Sequence, residues 1–399
     1  MDIRRRHLLL AGGVLGGGLL VHERGLRFPR LGFEPSPLDT YRNYLDAELR
    51  LRDLIFISHE QRGKIALRAF SPNASVRLTP RDDELHLSVN NVLPGATLVV
   101  GGDAGKVTEQ IAGISRQITI RGGARQKFEL QWHRPASTPL KFAVIGDTGG
   151  GAELTWCLQR AHALGAEFLL HLGDFNYGPG EYDEAVTKFH QAAMPVYVAI
   201  GNHDFNDHGL VYPAFRQHIG PLNNSFSIAG TRFINLDTAA SFLPAYAGNR
   251  GQLIKQLKRA GNPGPNQLVF SHMPFIDVRG DDKDHVVSRT AERSWLSDSL
   301  RKIGVQHWLC GHVHRSKETR MDHFTQWTAG EGLGYEDLRN KTPTAQMLIG
   351  LTSETGGLEF SWAPLEMPWH MHTSPTHAAK LKRDGLSQWY QELIPTPSK

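Results

Sequence analysis

"KFAVIGDTGG", residues 141–150, is where the chain changes rhythm. Four apolar residues, Phe142 to Ile145, stop at Gly146 and Asp147, which reads as a fully buried strand delivering a carboxylate to the loop behind it. The same construction recurs in "EFLLHLGDFNYG" (167–178), "PVYVAIGNHD" (195–204), "QLVFSHMP" (267–274) and "VQHWLCGHVHRSK" (305–317). Helix-like segments at 152–164 and 181–193 lie between the first runs, so this part of the chain is expected to be a layered α/β domain. Three late strands, in "FTQWTA", "MLIGLT" and "LEFSW", have no obvious helix between them and are expected to finish a second sheet.

Upstream the texture differs. From about residue 51 to 132 short alternating runs are separated by Gly, Pro, Asn and Asp clusters every 8 to 12 residues or so, the pattern of an antiparallel sandwich. "HRPASTP" (133–139) reads as a linker. The expected organisation is a signal at 1–30, a β-sandwich domain at 40–135, a catalytic domain at 140–364 and a tail at 365–399. Within that tail a short helix is expected at 378–393, and His370, His372 and His377 read as solvated. A chain of 399 residues is long enough for two cores.

Residues 1–30 have a cationic start, Arg4 to Arg6, then a glycine-softened apolar stretch too short for a comfortable membrane span. The layout is similar to a twin-arginine export signal. It predicts a periplasmic or extracellular protein, with an uncleaved N-terminus as a membrane tether if no peptidase removes it. This segment holds six arginines against Asp2 and Glu23, which accounts for the whole net charge of +4. The remainder is near neutral, which argues against a general affinity for nucleic acid. Oligomeric state is not legible. The two cysteines, Cys157 and Cys310, are expected as buried free thiols rather than a disulfide.

The side chains behind the strands are Asp147; Asp174 and Tyr177; Asn202, His203 and Asp204; His272; His312 and His314. Taken singly each has an ordinary explanation: an aspartate capping a helix, a packing tyrosine, an Asn-containing turn, a loop histidine. Together they stand at one edge of an α/β sheet, where such folds keep ligand sites. His312 and His314, two residues apart in extended chain, share a face and can reach one point. Carboxylate, imidazole, amide and phenol donors without thiolates suit iron, manganese or zinc. They are too many for one ion, and two ions about 3.5–4 Å apart can clamp the entering and leaving oxygens of a phosphoryl group.

The series GD-x-G, GD-x-x-Y, GNHD, H and GH-x-H resembles the calcineurin-like metallophosphoesterase superfamily, and its tyrosine resembles the purple acid phosphatase branch. That resemblance implies a four-layer β-sandwich flanked by helices, preceded by a smaller all-β sandwich. It implies a first ion, Fe(III), on Asp147, Tyr177 and His314, and a second, Fe(II), Zn(II) or Mn(II), on Asn202, His272 and His312, with Asp174 bridging. It also implies attack of a metal-activated hydroxide on the phosphorus of a phosphorylated small molecule. His203 would contact phosphate or protonate the leaving oxygen, Asp204 would orient His203, and His285 or His208 would contact substrate. Asp204 stands where members of that branch often have glutamate. The expected activity is monoester hydrolysis. A diesterase, nuclease or sugar-nucleotide pyrophosphatase on the same core is the nearest alternative, and an envelope binding protein with a structural metal site is the rival of a different class.

Overall fold

The computed structural model describes residues 40–367, apart from position 45 and segments 135–138, 205–211, 240–247, 262–263, 281–284, 288–289, 335–344 and 354–355. The expected signal, His208, the tail histidines and the tail helix lie outside the described residues. Among the described residues no helix is long and apolar enough to cross a membrane.

Ten strands from β1 (Thr40–Asn43) to β10 (Phe128–His133) form two five-stranded sheets, ordered β1-β2-β5-β10-β7 and β3-β4-β6-β9-β8. Their period-2 pattern is visible in β2 (Ala47–Arg52), whose residues alternate buried and exposed, and in β5 (Ser75–Pro80). Leu49, Val76 and Leu130 of one sheet share a core with Leu67, Leu87 and Ile118 of the other. This is the expected all-β sandwich, and its only helical turn among the described residues is Ala104–Lys106.

The second part, residues 141–364, pairs two mixed sheets, one ordered β13-β12-β11-β20-β21 and one ordered β14-β15-β16-β17-β19-β18. The first contains β11 (Lys141–Ile145), β12 (Phe168–His171), β13 (Val196–Val198), β20 (Gln346–Thr352) and β21 (Leu358–Pro364). The second contains β14 (Asn224–Ile228), β15 (Thr231–Leu236), β16 (Asn266–Ser271), β17 (His307–Cys310), β18 (Ser316–Arg320) and β19 (Thr325–Ala329). Because successive side chains take opposite faces, each apolar run serves two cores. Phe142, Val144, Phe233, Phe270 and Leu309 meet between the sheets. Ala143 and Ile145 face α1 (Ala152–Ala163) and α2 (Glu181–Gln191), while Ile234, Val269 and Trp308 face α4 (Gly248–Ala260) and α5 (Thr290–Ile303). The fifth helix, α3 (Tyr212–His218), lies against β3 (Leu54–Gln61) of the sandwich. The helix, sheet, sheet, helix order is the expected four-layer architecture. Each of the fully buried large side chains contributes about 1.5–3 kcal/mol.

One expectation is corrected. Of the three late strands, only β19 joins the second sheet, beside β17; β20 pairs antiparallel with β11 and carries β21 along the first sheet. Both cysteines are buried and free.

The two parts are joined by polar pegs inside apolar packing. Arg68 of the sandwich is 1% exposed and donates to the carbonyls of Ile219 at 2.9 Å and Val196 at 3.0 Å. Asn91 exchanges hydrogen bonds with both backbone groups of Val196, at 2.9 and 3.2 Å. Carbonyl dipoles stand in for a counter-ion, and burial pushes the Arg68 guanidinium down to about 10.

His171, at the end of β12, is fully buried. The backbone N–H of Gly173 donates to its Nδ1 at 3.2 Å, so its proton sits on Nε2, 2.9 Å from the Thr148 hydroxyl, which itself donates to the Gly149 carbonyl. Burial lowers its pKa to about 3. A folded value below the unfolded one, about 6.5, stabilises the native state above that pH and is lost as pH falls from about 6.5 toward 3. At pH 5 this one group costs about 2 kcal/mol, and His190 and His307, each lowered to about 4 chiefly by burial, act in the same direction. The thermal midpoint is therefore expected to drop between pH 7.5 and 5, with a shallower drop in His171→Phe; a midpoint that rises on acidification would contradict this reading.

Candidate metal centre

The parallel strands β11, β12, β13, β16 and β17 all deliver their carboxyl ends to one edge, because β11, β12 and β13 run parallel in the first sheet and β16 and β17 run parallel in the second. All seven sequence-predicted ligands meet there. The phenol Oη of Tyr177 lies 3.5 Å from Asp147 Oδ1, 3.3 Å from Asp174 Oδ2 and 3.2 Å from His314 Nε2. On the other side of Asp174, its Oδ2 is 3.3 Å from His272 Nε2. That nitrogen is also 2.8 Å from Asn202 Oδ1 and 3.1 Å from His312 Nδ1. Donor atoms of Asp174, His272 and His312 all lie within 4.8 Å of one another. Two clusters thus share one carboxylate.

The backbone is bent to achieve this. Asp147, Asp174, His312 and His314 have φ of 60°, 58°, 70° and 48°, a region that side chains other than glycine seldom occupy and that costs about 1–3 kcal/mol each. Four such residues at one spot, all bearing metal-capable groups, mark strain kept for a purpose. The glycines of the motifs have a separate reason. A Cβ on Gly201 would overlap Asp174 Oδ1, and one on Gly311 would overlap Asp147 Oδ2, so each carboxylate occupies the space a larger residue would need. Because the added methyl would also overlap the Asp174 backbone nitrogen, Gly201→Ala is expected to shift the whole Asp174 loop, lowering the thermal midpoint as well as bound metal, and turnover by about 10²-fold; a variant that keeps the parent's midpoint and metal content would show that the carboxylate's position is not critical.

The donor set fits cations. The Nδ1–H of His272 donates to the Leu172 carbonyl at 2.9 Å, leaving the Nε2 lone pair aimed at Asn202 Oδ1, His312 Nδ1 and Asp174 Oδ2. Four electron-rich atoms around one point repel one another unless positive charge sits among them. A proton on His272 supplies some of it: burial pushes that imidazole down, but Asp174 and Asp147 push it up further, to about 9. Burial, opposed by nothing comparable, lowers His312 to about 2. Burial pushes the Asp174 carboxyl up, but the charge and hydrogen bond of His272 together with those of His203 hold it below the usual carboxylate range. Burial and then the Asp147 and Asp174 charges raise the Tyr177 phenol well above its ordinary value, so a phenolate there requires a strong cation.

His203 is exposed, its ring centroid 4.8 Å from that of Tyr177, while its backbone N–H donates to Asp174 Oδ1 at 2.9 Å. Asp204 is a correction. Expected to orient the His203 ring, its fully buried carboxylate instead accepts the backbone N–H groups of Gly201 (2.6 Å), Phe175 (2.8 Å) and Asp174 (3.0 Å). It ties the Asp174 loop to the Asn202 loop and is a positioning residue. Glu181 does the same for Tyr177, accepting its backbone N–H at 2.7 Å.

The centre opens into a pocket of about 280 Å³ lined by Asp174, Tyr177, His203, His285, His312 and His314, with Arg279 and Arg315 at its margin. His285 is where the sequence suggested, its ring centroid 5.1 Å from that of His312. The two arginines were missed. Arg279 is paired with Asp277 at 2.8 Å, and Arg315 donates to the His314 carbonyl at 3.0 Å. Only the position of Arg315, directly after "GHVH", could have signalled it.

The calcineurin-like phosphoesterase family model matches residues 140–316. No curated protein matches the chain in sequence. Among solved structures it is similar to the purple acid phosphatase PPD1 from yellow lupin (Lupinus luteus) seeds, at 11% identity, 79% of this chain, 72% of that one and a TM-score of 0.44. It is also similar to a dimetal phosphatase from Danio rerio, at 14% identity, 57% of this chain, 96% of that one and a TM-score of 0.40. A third is GAP50, the anchor in the inner membrane complex of Plasmodium, at 15% identity, 57% of this chain, 85% of that one and a TM-score of 0.41.

Proposed function

We propose, from the match of residues 140–316 to the calcineurin-like phosphoesterase family model, that this protein is a metal-dependent phosphoester hydrolase that cleaves phosphate monoesters at a two-metal centre. The carrying observation is Asp174, whose Oδ2 lies 3.3 Å from both Tyr177 Oη and His272 Nε2 and so belongs to two donor clusters at once. In this reading Asp147, Tyr177 and His314 hold one ion, Asn202, His272 and His312 hold the other, and Asp174 spans them. The metal pair supplies Lewis acidity toward the phosphoryl oxygens and a more acidic water.

The chain's own side chains do the rest. His203 stands over the pocket at the Tyr177 ring, free to hydrogen-bond a phosphoryl oxygen or give a proton to the leaving oxygen. Arg279, Arg315 and His285 line the approach and favour an anionic ester. Asp204 and Glu181 keep the ligand loops in register without touching substrate. Phenolate coordination by Tyr177 suits a trivalent ion, and Fe(III) beside a divalent iron, zinc or manganese is the assignment we propose. A visible charge-transfer band in the purified protein supports it, and a colourless enzyme holding only zinc or manganese removes the iron while leaving the hydrolase.

Metal analysis and turnover on an aryl monoester, an aryl diester and a sugar nucleotide test the reading against Asp147→Asn. About two ions per chain and preferential monoester turnover, both lost in the variant, are expected. Diester preference would move the assignment to a phosphodiesterase, and bound metal without turnover on any ester would favour a binding protein. Export through residues 1–30 belongs to the same proposal, since a site that must be loaded with metal before crossing suits a folded-state route; cell fractionation with and without Arg4 to Arg6 checks it.

A further inference from the structure

The pocket over the metal centre carries two guanidinium groups at its margin, and they arrive on different loops: Arg279 on the segment after β16, Arg315 on the turn after β17. Arg279 bonds Asp277 and Arg315 bonds the His314 carbonyl, whereas the atoms within reach of Asp174 Oδ2 are Tyr177 Oη and His272 Nε2. The arginines therefore border the path of the leaving group rather than the place of the reacting phosphoryl group.

Arg279 is built into position. The Pro274 carbonyl accepts the Val287 N–H at 2.7 Å, which closes the neck of its segment. Beside that neck the fully buried Gln326 accepts the N–H groups of Phe275 (2.8 Å) and Ile276 (3.1 Å) and donates to the Ile276 carbonyl at 2.9 Å. Asp277 then takes three donors from Arg279: the backbone N–H at 2.9 Å, Nε at 3.0 Å and Nη2 at 2.8 Å. The Asp277 side chain is 4% exposed and that of Arg279 is 34% exposed, so the pair turns its positive member outward. Burial pushes the Asp277 carboxyl up, but its hydrogen bonds to Arg279 and the arginine's charge hold it below the usual carboxylate range. A guanidinium fixed in advance gives up little freedom on taking an anion, and its planar fork matches carboxylate or phosphate.

Size and lining narrow the partner. At about 280 Å³ the pocket falls below the usual span of small-molecule sites, about 300–1,000 Å³, and Val313 is the one aliphatic residue among those lining it. A bulky apolar leaving group gains little there, and a small charged one gains most. Resting on the monoesterase reading, we propose that Arg279 and Arg315 select small phosphate monoesters whose leaving group carries a second anionic group, a carboxylate or another phosphate.

Two pairs of esters test this: 3-phosphoglycerate against glycerol 3-phosphate, and 1,3-propanediol bisphosphate against its monophosphate. The full chain, loaded with metal, is assayed at an ionic strength of about 0.15 M, where attraction beyond about 8 Å is largely screened. In the parent, kcat/KM is expected to favour the charged member of at least one pair by tenfold or more, mainly through KM. Arg279→Gln and Arg315→Gln should each cut that ratio at least threefold, and the double variant should bring it to about one. The ratio compares two esters on one protein, so a general loss of activity or of metal cancels, and the pair with the larger ratio tells carboxylate from phosphate. A parent ratio near one in both pairs overturns the proposal. Equal losses on both members in the variants overturn it too, because the arginines would then serve the reacting phosphoryl group or the fold. If no ester is turned over, the hydrolase reading fails and calorimetric binding of the same pairs decides: equal affinities overturn the proposal, and a preference for the charged member that both variants lose upholds the arginines as its site.

Discussion

Asp174→Asn is expected to lower kcat on an aryl phosphate by about 10³-fold or more, equivalent to roughly 4 kcal/mol, and to reduce bound metal from about two ions per chain to one or fewer. The substitution is almost silent for the fold. Asparagine accepts the φ of 58° at this position, and its amide oxygen can still take the backbone N–H of His203, 2.9 Å away in the parent. What changes is the other oxygen. Oδ2 faces Tyr177 Oη and His272 Nε2, each at 3.3 Å, and an amide nitrogen there presents hydrogens where both clusters need an electron pair. The unit charge that offsets two cations disappears as well. Atomic absorption and steady-state kinetics check both halves, and a variant that keeps two ions and a tenth of the parent rate would exclude a bridging role.

The side chains that meet at the centre were legible in the sequence because each follows its strand within a few residues, and four of the five strand ends are marked by an apolar run and a glycine (Gly146, Gly173, Gly201 and Gly311), with Ser271 at the fifth. Those glycines are readable for a physical reason: at Gly201 and Gly311 the neighbouring carboxylate fills the Cβ position. The alternation of the two halves gave the sandwich and the layered core, since period-2 burial and continuous apolar runs are local signals. Partners across the sheets were not local. Nothing in "MLIGLT" says that it returns to lie against β11 rather than following β19 into the second sheet, because both sites offer an equally apolar face. β14 went unread because its apolar positions, Phe226 and Ile228, are diluted by Asn and Ser. Asp204 was assigned the wrong task because its real partners are three backbone N–H groups, which no residue type announces. Arg279 reaches the pocket margin through the fold alone.

His203→Asn is expected to separate substrates by leaving group. An alkyl phosphate loses a basic alkoxide and needs a proton in the transition state, so removing a general acid should cost about 10²–10⁴-fold in kcat. p-Nitrophenyl phosphate loses a weakly basic phenolate and should suffer tenfold or less. If His203 only contacts the phosphoryl oxygens, both esters lose the same factor. The ring is suited to the proton role: it is exposed at the pocket, leans on Tyr177 at 4.8 Å between centroids, and takes no part in the close donor clusters around Asp174. Asp204→Asn supplies the contrast. Its carboxylate acts through the backbone of the Asp174 and Asn202 loops, so its loss should lower metal content and kcat alike for good and poor leaving groups. A leaving-group dependence confined to the His203 variant would assign the proton to His203; the same dependence in both would mean that the acid is held in place by Asp204 after all.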